Sequence, residues 1–170
     1  SIKKVFKNLF ITPKALAVAK ILIQQKVDFI HAHWASTPST LAYIVSYISN
    51  IPWGFTAHRW DITENNMLKE KVRTAAFYRT ISKRGYKKIM DYVRPQDRAK
   101  GHILHVGVRI QNQKLVIEKR QQNSPYIVAL PARFVPVKGH EYLIKAVKIL
   151  IDRGHSIICY LFGDGPLEYY

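Results

Sequence analysis

Two cations lie close together in the last third of the chain, at positions suited to binding a diphosphate. Arg133 follows an apolar segment that predicts a strand, and Lys138 comes after a Val-Pro-Val spacer, where a helix is predicted to begin. Cations beside the free backbone N–H groups of a helix N-terminus form a favourable place for phosphate groups. Gly163 and Gly165, in a GDGP sequence, would allow the backbone to approach such a ligand closely. These residue types therefore predict a site for a nucleotide diphosphate.

Further polar residues follow a predicted strand in the N-terminal half. His58, Arg59 and Asp61 come directly after the strand that ends at Ala57. We expect these side chains to open into a crevice at the carboxyl edge of a parallel sheet, where ligands bind in such folds. Three roles are open for Asp61: it orients His58, contacts a second substrate, or caps a helix.

A pair of histidines ends the preceding predicted strand. His31 and His33 are two residues apart, so alternation along a strand points both imidazoles to the same side. The pair suits a structural role at the strand end or the lining of a crevice. A metal ion is a third interpretation, but no further ligand follows at a recognisable spacing, and we predict no metal site.

The elements that must position these residues alternate along the chain as helix and strand, which predicts a parallel sheet of an α/β protein. The predicted helices of the N-terminal half are Pro13–Lys26, Ser39–Ser49, Asn66–Ala75 and Lys83–Val93, the last with Ser82 as its N-cap. The predicted strands are Val27–His33, Trp53–Ala57, Ala76–Ile81 and Gly101–Val106.

The segment Pro125–Pro166 predicts one complete strand–helix–strand unit, with a buried first strand. A polar, glutamine-rich stretch precedes it and is typical of a linker. We therefore expect a first domain over residues 1–108, a linker over 109–124 and a second domain over 125–170.

The segment ARFVPVKGHEYLIKA, followed one helix and one strand later by GDGP, resembles the donor-binding domain of retaining family 4 glycosyltransferases, which have the two-domain GT-B fold. The resemblance implies parts of two Rossmann-like domains with parallel sheets and a cleft between them. The glycine that usually precedes the arginine in that family is Ala132 here.

The resemblance also implies roles for individual residues. Arg133 and Lys138 would contact the donor phosphates with Gly163 and Gly165 nearby, and His58 would lie close to the reacting sugar. His33, Arg59 and Asp61 would line the cleft on the acceptor side. The substrates would be a nucleotide diphosphate sugar, with no further cofactor, and a glycan or lipid-linked acceptor in surface polysaccharide or lipopolysaccharide synthesis. The family's pair of glutamates with seven residues between them would lie beyond Tyr170, so we expect these 170 residues to be a weak or inactive catalyst alone.

The chain carries a formal net charge of +16, which favours anionic partners. The basic window, residues 65–100, holds eleven lysines and arginines against three acidic residues. A solvated surface, contact with an anionic membrane face, and nucleic-acid binding are its three interpretations; nucleic acid is the least expected, since no known nucleic-acid motif accompanies it. A non-enzymatic basic module is therefore the competing function, and a nucleotide-sugar epimerase on a similar fold is a third.

The cysteine content and the length of the apolar runs indicate the cellular compartment. One cysteine, Cys159, excludes an internal disulfide framework and suits a reducing compartment. No apolar run reaches the roughly 18 residues of a membrane span. We therefore expect a cytoplasmic protein, peripheral at most at the inner face of the membrane.

Overall fold

The computed structural model describes residue 6 and residues 8–108 and 124–168. The chain divides into two compact units, residues 1–110 and 111–170, called the N-terminal and C-terminal units below. Both are α/β units built on parallel strands. The expected linker, residues 109–124, falls outside the described residues except for Ser124.

The N-terminal unit contains a four-stranded parallel sheet in the order β1-β2-β3-β4. The strands are β1 (Ile30–His33), β2 (Trp53–Ala57), β3 (Phe77–Thr80) and β4 (Gly101–Ile103). The register places His33 beside Thr56 and Thr56 beside Arg79. All four strands consequently end at the same edge of the sheet, and the loops that follow them meet there.

Helices connect these strands, as the alternating sequence pattern predicts. They are α1 (Thr12–Gln24), α2 (Thr37–Ser49), α3 (Arg59–Glu64), α4 (Leu68–Thr74) and α5 (Lys83–Ile89). Short 3₁₀ turns over Met90–Tyr92 and Pro95–Lys100 lead into β4. The predicted cap of α5 is confirmed: the Ser82 hydroxyl accepts a hydrogen bond from the Gly85 N–H at 3.0 Å.

The core of this unit is built around β2, all five of whose residues are buried. Trp53 stacks on Phe55, and Phe55 stacks on Tyr78 of the neighbouring strand. Ile62 and Leu68 from the helices belong to the same buried cluster. A rigid central strand fixes the position at which His58 leaves the sheet.

The C-terminal unit is the predicted strand–helix–strand crossover. Strands β5 (Tyr126–Pro131) and β6 (Ile157–Phe162) pair in parallel, and α6 (His140–Asp152) connects them. His140, at the start of α6, lies edge-on to Phe134, with ring centroids 4.9 Å apart. Among the described residues of this unit, His140 is the one that is buried.

Two expectations for this unit are wrong. The first strand is largely exposed rather than buried, with Ile127 67% accessible, because a pair of strands and one helix can cover one face of the sheet at most. Lys138 does not open the helix: it ends a 3₁₀ turn over Pro136–Lys138, and Gly139, at φ 74°, is the N-cap of α6.

Other element boundaries shift by a few residues. The first strand begins at Ile30 rather than Val27, and α5 ends at Ile89, where the predicted helix continued to Val93. Among the residues that the structure describes, no helix is both long and apolar enough to cross a membrane.

Candidate functional site

The carboxyl edge of the N-terminal sheet brings together the loops that follow β1 and β2. Trp34, immediately after β1, has φ 76°, a left-handed conformation that is uncommon for a bulky residue. Its N–H donates to the Thr56 carbonyl at 2.9 Å, which continues the β1–β2 pairing by one residue. The Trp34 indole stacks on the His58 imidazole, with ring centroids 4.2 Å apart and 21° between planes. The left-handed backbone of Trp34 therefore places its indole against His58.

Asp61 links the loops that follow β1 and β2 through hydrogen bonds. Its carboxylate accepts hydrogen bonds from the backbone N–H of His58 at 2.7 Å and of Ile62 at 3.0 Å, and its second oxygen accepts from the Ala35 N–H at 2.5 Å. Burial raises the pKa of the Asp61 carboxyl above its usual range, and the three backbone donors act in the opposite direction. Asp61 is the third residue of α3 and His58 is the N-cap, so Asp61 holds the backbone of His58 and is not itself the cap.

Lys71 holds the same loop from the other side. The sequence places it in the basic window, but the structure shows no exposed surface on this residue. Its Nζ donates to the carbonyl oxygens of Ala35 at 2.8 Å and Ser36 at 2.7 Å. Lys71 is therefore not one of the surface cations of the basic window: it holds the loop after β1 in position.

These loops border a pocket of about 430 Å³. Two indoles contribute to its wall, and both retain exposed surface, 46% for Trp34 and 61% for Trp60. The complete lining is Trp34, Ser36, Trp60, Asp61, Thr63 and Glu64. A pocket that combines aromatic faces with hydroxyl and carboxylate groups suits a small polar ligand that has both apolar and hydrogen-bonding surface.

His58 lies beside this pocket with one ring nitrogen unused. Nε2 is buried and has no hydrogen-bond partner among the described residues. Buried polar atoms normally have a partner, so an imidazole nitrogen in this state suits a ligand hydroxyl or a water molecule. Because Nε2 is covered, a ligand can contact it only after the surrounding groups move.

The histidines of β1 lie next to each other, as the two-residue spacing predicts. The ring centroids of His31 and His33 are 5.1 Å apart, and His31 Nε2 forms a hydrogen bond with the Thr56 hydroxyl at 3.1 Å. Burial, and then the charges of His33 and Arg79, lower the pKa of His31. His33 does not line the pocket of the two indoles. No group of three or more His, Cys, Asp or Glu side chains able to hold a metal ion is present among the described residues.

Arg59 lies on the outer side of the same loop. Its side chain is exposed, and its guanidinium carbon lies 5.5 Å from the centre of the Trp60 ring. It lines a separate groove between α3 and α5. Of the residues predicted for the acceptor side, the structure therefore brings Asp61 to the pocket and Arg59 to the neighbouring groove.

In the C-terminal unit, Arg133 and Lys138 both lie on the loop between β5 and α6, at the carboxyl edge of the parallel strands. Both side chains are exposed, and neither forms an ion pair with a described carboxylate. The Val135 N–H donates to the Arg133 carbonyl at 2.8 Å, and the Lys138 N–H donates to the Val135 carbonyl at 3.0 Å. The loop is held by its own backbone, which leaves both cations available to an anion.

The glycines of the GDGP sequence lie against this loop. A Cβ on Gly163 would lie 2.3 Å from the Ala132 carbonyl oxygen, and one on Gly165 would lie 2.6 Å from that of Phe134. Their φ angles, 152° and 145°, also disfavour other residues. The Phe134 N–H donates to the Asp164 carbonyl at 2.6 Å. The two turns thus pack directly on each other, and this contact together with the φ angles accounts for glycine at both positions.

Comparison with protein-family models gives no match to this chain, and comparison with curated proteins gives none either. The geometry of the site adds three residues to the predicted set: Trp34, Trp60 and Lys71. A tryptophan directly after the HAH strand is a signal for the first, whereas no local pattern distinguishes Lys71 from the exposed lysines near it.

Proposed function

We propose that this chain belongs to a glycosyltransferase of GT-B type that transfers a sugar from a nucleotide diphosphate to a glycan or lipid-linked acceptor. The observation that carries the proposal is the loop over residues 132–139 of the C-terminal unit, called the donor loop below. It presents Arg133 and Lys138 at the carboxyl edge of parallel strands, exposed and with no ion pair to a described carboxylate. Ligands of open α/β sheets bind at this edge. Two exposed cations on a short, backbone-braced loop match the charge of a pyrophosphate.

In this proposal the two cations offset the negative charge that develops on the nucleoside diphosphate as the bond to the sugar breaks. Stabilising a charged leaving group is the principal electrostatic task of such a reaction. The N-terminal unit supplies the acceptor pocket of Trp34 and Trp60, whose aromatic faces suit the apolar face of a sugar ring. His58 donates to, or accepts from, a sugar hydroxyl through Nε2.

A turnover assay tests the proposed reaction. The full chain is incubated with the glucose conjugates of UDP, GDP and ADP, and the release of nucleoside diphosphate and the anomeric form of the released sugar are followed. We expect slow release from at least one donor, with retained configuration. Absence of hydrolysis and of transfer with all donors contradicts catalysis by these 170 residues alone, and an epimerised nucleotide sugar as product assigns the chain to the epimerase class.

Replacing His58 by alanine is expected to lower turnover about tenfold, the effect of losing one hydrogen bond of about 1.4 kcal/mol in the transition state. The affinity for the nucleoside diphosphate should stay the same, because the diphosphate is assigned to the C-terminal unit. His102→Ala, at an exposed histidine on β4, is the matched control. Equal turnover of the His58 variant and the parent contradicts the assigned role.

The competing function is a basic binding module without catalysis, favoured by the many exposed cations of the basic window. Such binding weakens steeply with salt and does not depend on the donor loop. Salt-sensitive binding to DNA or anionic vesicles that survives Arg133→Ala and Lys138→Ala, in a protein that binds no nucleotide sugar, would establish it.

A further inference from the structure

The groove between α3 and α5 gathers three cations on a surface that the donor loop does not include. Arg59 comes from α3, and Arg84 and Lys88 come from successive turns of α5. All three side chains are exposed, and none of them forms an ion pair with a described carboxylate. The groove has a volume of about 260 Å³, which is the scale of a small anionic group rather than of a nucleic-acid duplex.

The same groove offers neutral hydrogen-bonding groups beside the cations. Lys88 Nζ donates to the Thr63 hydroxyl at 2.8 Å, which places the ammonium against α3. Ser82 lies at the head of α5, and its hydroxyl already accepts from the Gly85 N–H. Cations next to hydroxyl groups suit a phosphate, since arginine supplies paired donors and lysine a point charge.

Trp60 connects this groove with the pocket of the two indoles, because its ring contributes to the lining of both. A ligand with a sugar-like part in the pocket would extend past the indole into the groove. We propose that the groove of Arg59, Arg84 and Lys88 binds a phosphate or diphosphate group of the acceptor. This inference rests on the proposed function, in that it identifies the ligand of the pocket as a phosphorylated acceptor.

Helix α5 provides a matched pair of variants for the test. Arg84 and Lys88 line the groove, whereas Lys83 and Lys87 are also exposed on the same helix, have the same four-residue spacing and do not line the groove. The double substitutions Arg84→Gln with Lys88→Gln, and Lys83→Gln with Lys87→Gln, remove the same charge. The first, called the groove variant, loses charge that lines the groove. The second, called the control variant, loses charge elsewhere on the helix.

The probe is inorganic pyrophosphate, added at low salt to the full chain carrying Arg133→Ala and Lys138→Ala, so that the donor loop does not contribute. Tryptophan fluorescence reports binding, because Trp60 lies in the groove. We expect the groove variant to bind at least about tenfold more weakly than its parent and the control variant to bind within about threefold of it. Equal weakening of both variants, or no saturable binding by the parent, overturns the proposal.

Two further arms identify the source of the phosphate. Geranyl diphosphate and glucose 1-phosphate, tested in the same way, distinguish a lipid-linked diphosphate from a sugar phosphate, and binding of either through the groove supports the proposal. A single-stranded oligonucleotide whose binding depends equally on Lys83, Lys87, Arg84 and Lys88 overturns it in favour of nucleic acid. The internal reference is the double variant Arg84→Gln with Lys88→Gln in a chain whose donor loop is intact, titrated with UDP, GDP and ADP. If it binds the nucleotides as the parent does, the donor site is intact, and a failure of this inference is distinguished from a failure of the proposed function.

Discussion

Replacing Gly163 by alanine is expected to lower the free energy of unfolding of the C-terminal unit by at least about 3 kcal/mol. The added methyl group would lie 2.3 Å from the Ala132 carbonyl oxygen, a distance that backbone atoms cannot relieve without moving the turn. The φ angle of 152° adds conformational strain to this clash. Because the same turn pairs with the loop that carries Arg133, the substitution also removes the donor loop from its position.

The single cysteine of the chain provides a measurement confined to this unit. Cys159 lies in β6 and is partly buried, so its rate of reaction with a thiol reagent reports the opening of β6. A loss of about 3 kcal/mol raises the open population, and hence the labelling rate, about 100-fold. The tryptophan fluorescence should not change, since all three tryptophans lie in the N-terminal unit.

Gly154→Ala is the control for backbone strain without a clash. Gly154 also has a positive φ, 85°, but no atom of the described residues beyond its chain neighbours lies within 4 Å of an added Cβ. We expect a cost of about 1 kcal/mol, which is about a fivefold increase in labelling. Similar labelling rates for the Gly154 and Gly163 variants would contradict the packing of the two turns described above.

Replacing Lys71 by alanine is expected to cost the N-terminal unit about 3–5 kcal/mol. The substitution removes a fully buried side chain and leaves a cavity, and the Ala35 carbonyl loses the ammonium donor at 2.8 Å. The Ser36 carbonyl is less affected, because the Thr40 N–H also donates to it. Urea unfolding followed by tryptophan fluorescence measures this loss.

Lys71→Met separates the two contributions. The methionine side chain fills most of the cavity but supplies no hydrogen-bond donor. Because the variant also no longer buries a charge, we expect a smaller net loss of stability, about 1–3 kcal/mol. Lys69→Ala, at an exposed lysine on the same helix, should change stability by less than about 0.5 kcal/mol. A Lys71→Ala variant as stable as the Lys69 control would exclude the positioning role.

The fold could be predicted where the pattern of apolar residues is local and strong. The bounds of β2 coincide with those predicted, because Trp53–Ala57 is an apolar run that ends at a polar loop. The crossover of the C-terminal unit also follows from its sequence order. The exposure of β5 could not be predicted, since burial of a strand depends on what covers its faces and not on its own residues.

The candidate site was predictable in part for the same reason. His58 and Asp61 follow a strand end, and that position alone places them at the carboxyl edge of the sheet. The stacking of Trp34 on His58 depends on a left-handed backbone, and the burial of Lys71 depends on carbonyl groups 35 and 36 residues earlier in the chain. Contacts of this kind arise from tertiary packing, which local sequence patterns do not encode.

The central claim, that Arg133 and Lys138 hold the diphosphate of a nucleotide sugar, is tested most directly by calorimetric titration. The full chain is titrated with UDP, GDP and ADP, and the titration is repeated with Arg133→Ala, Lys138→Ala and the control Arg153→Ala, an exposed arginine at the far end of α6. We predict saturable binding of at least one nucleotide, weakened at least about tenfold by either donor-loop substitution and unchanged in the control. Absence of binding with all three nucleotides, or equal affinity in the parent and the donor-loop variants, would contradict the claim.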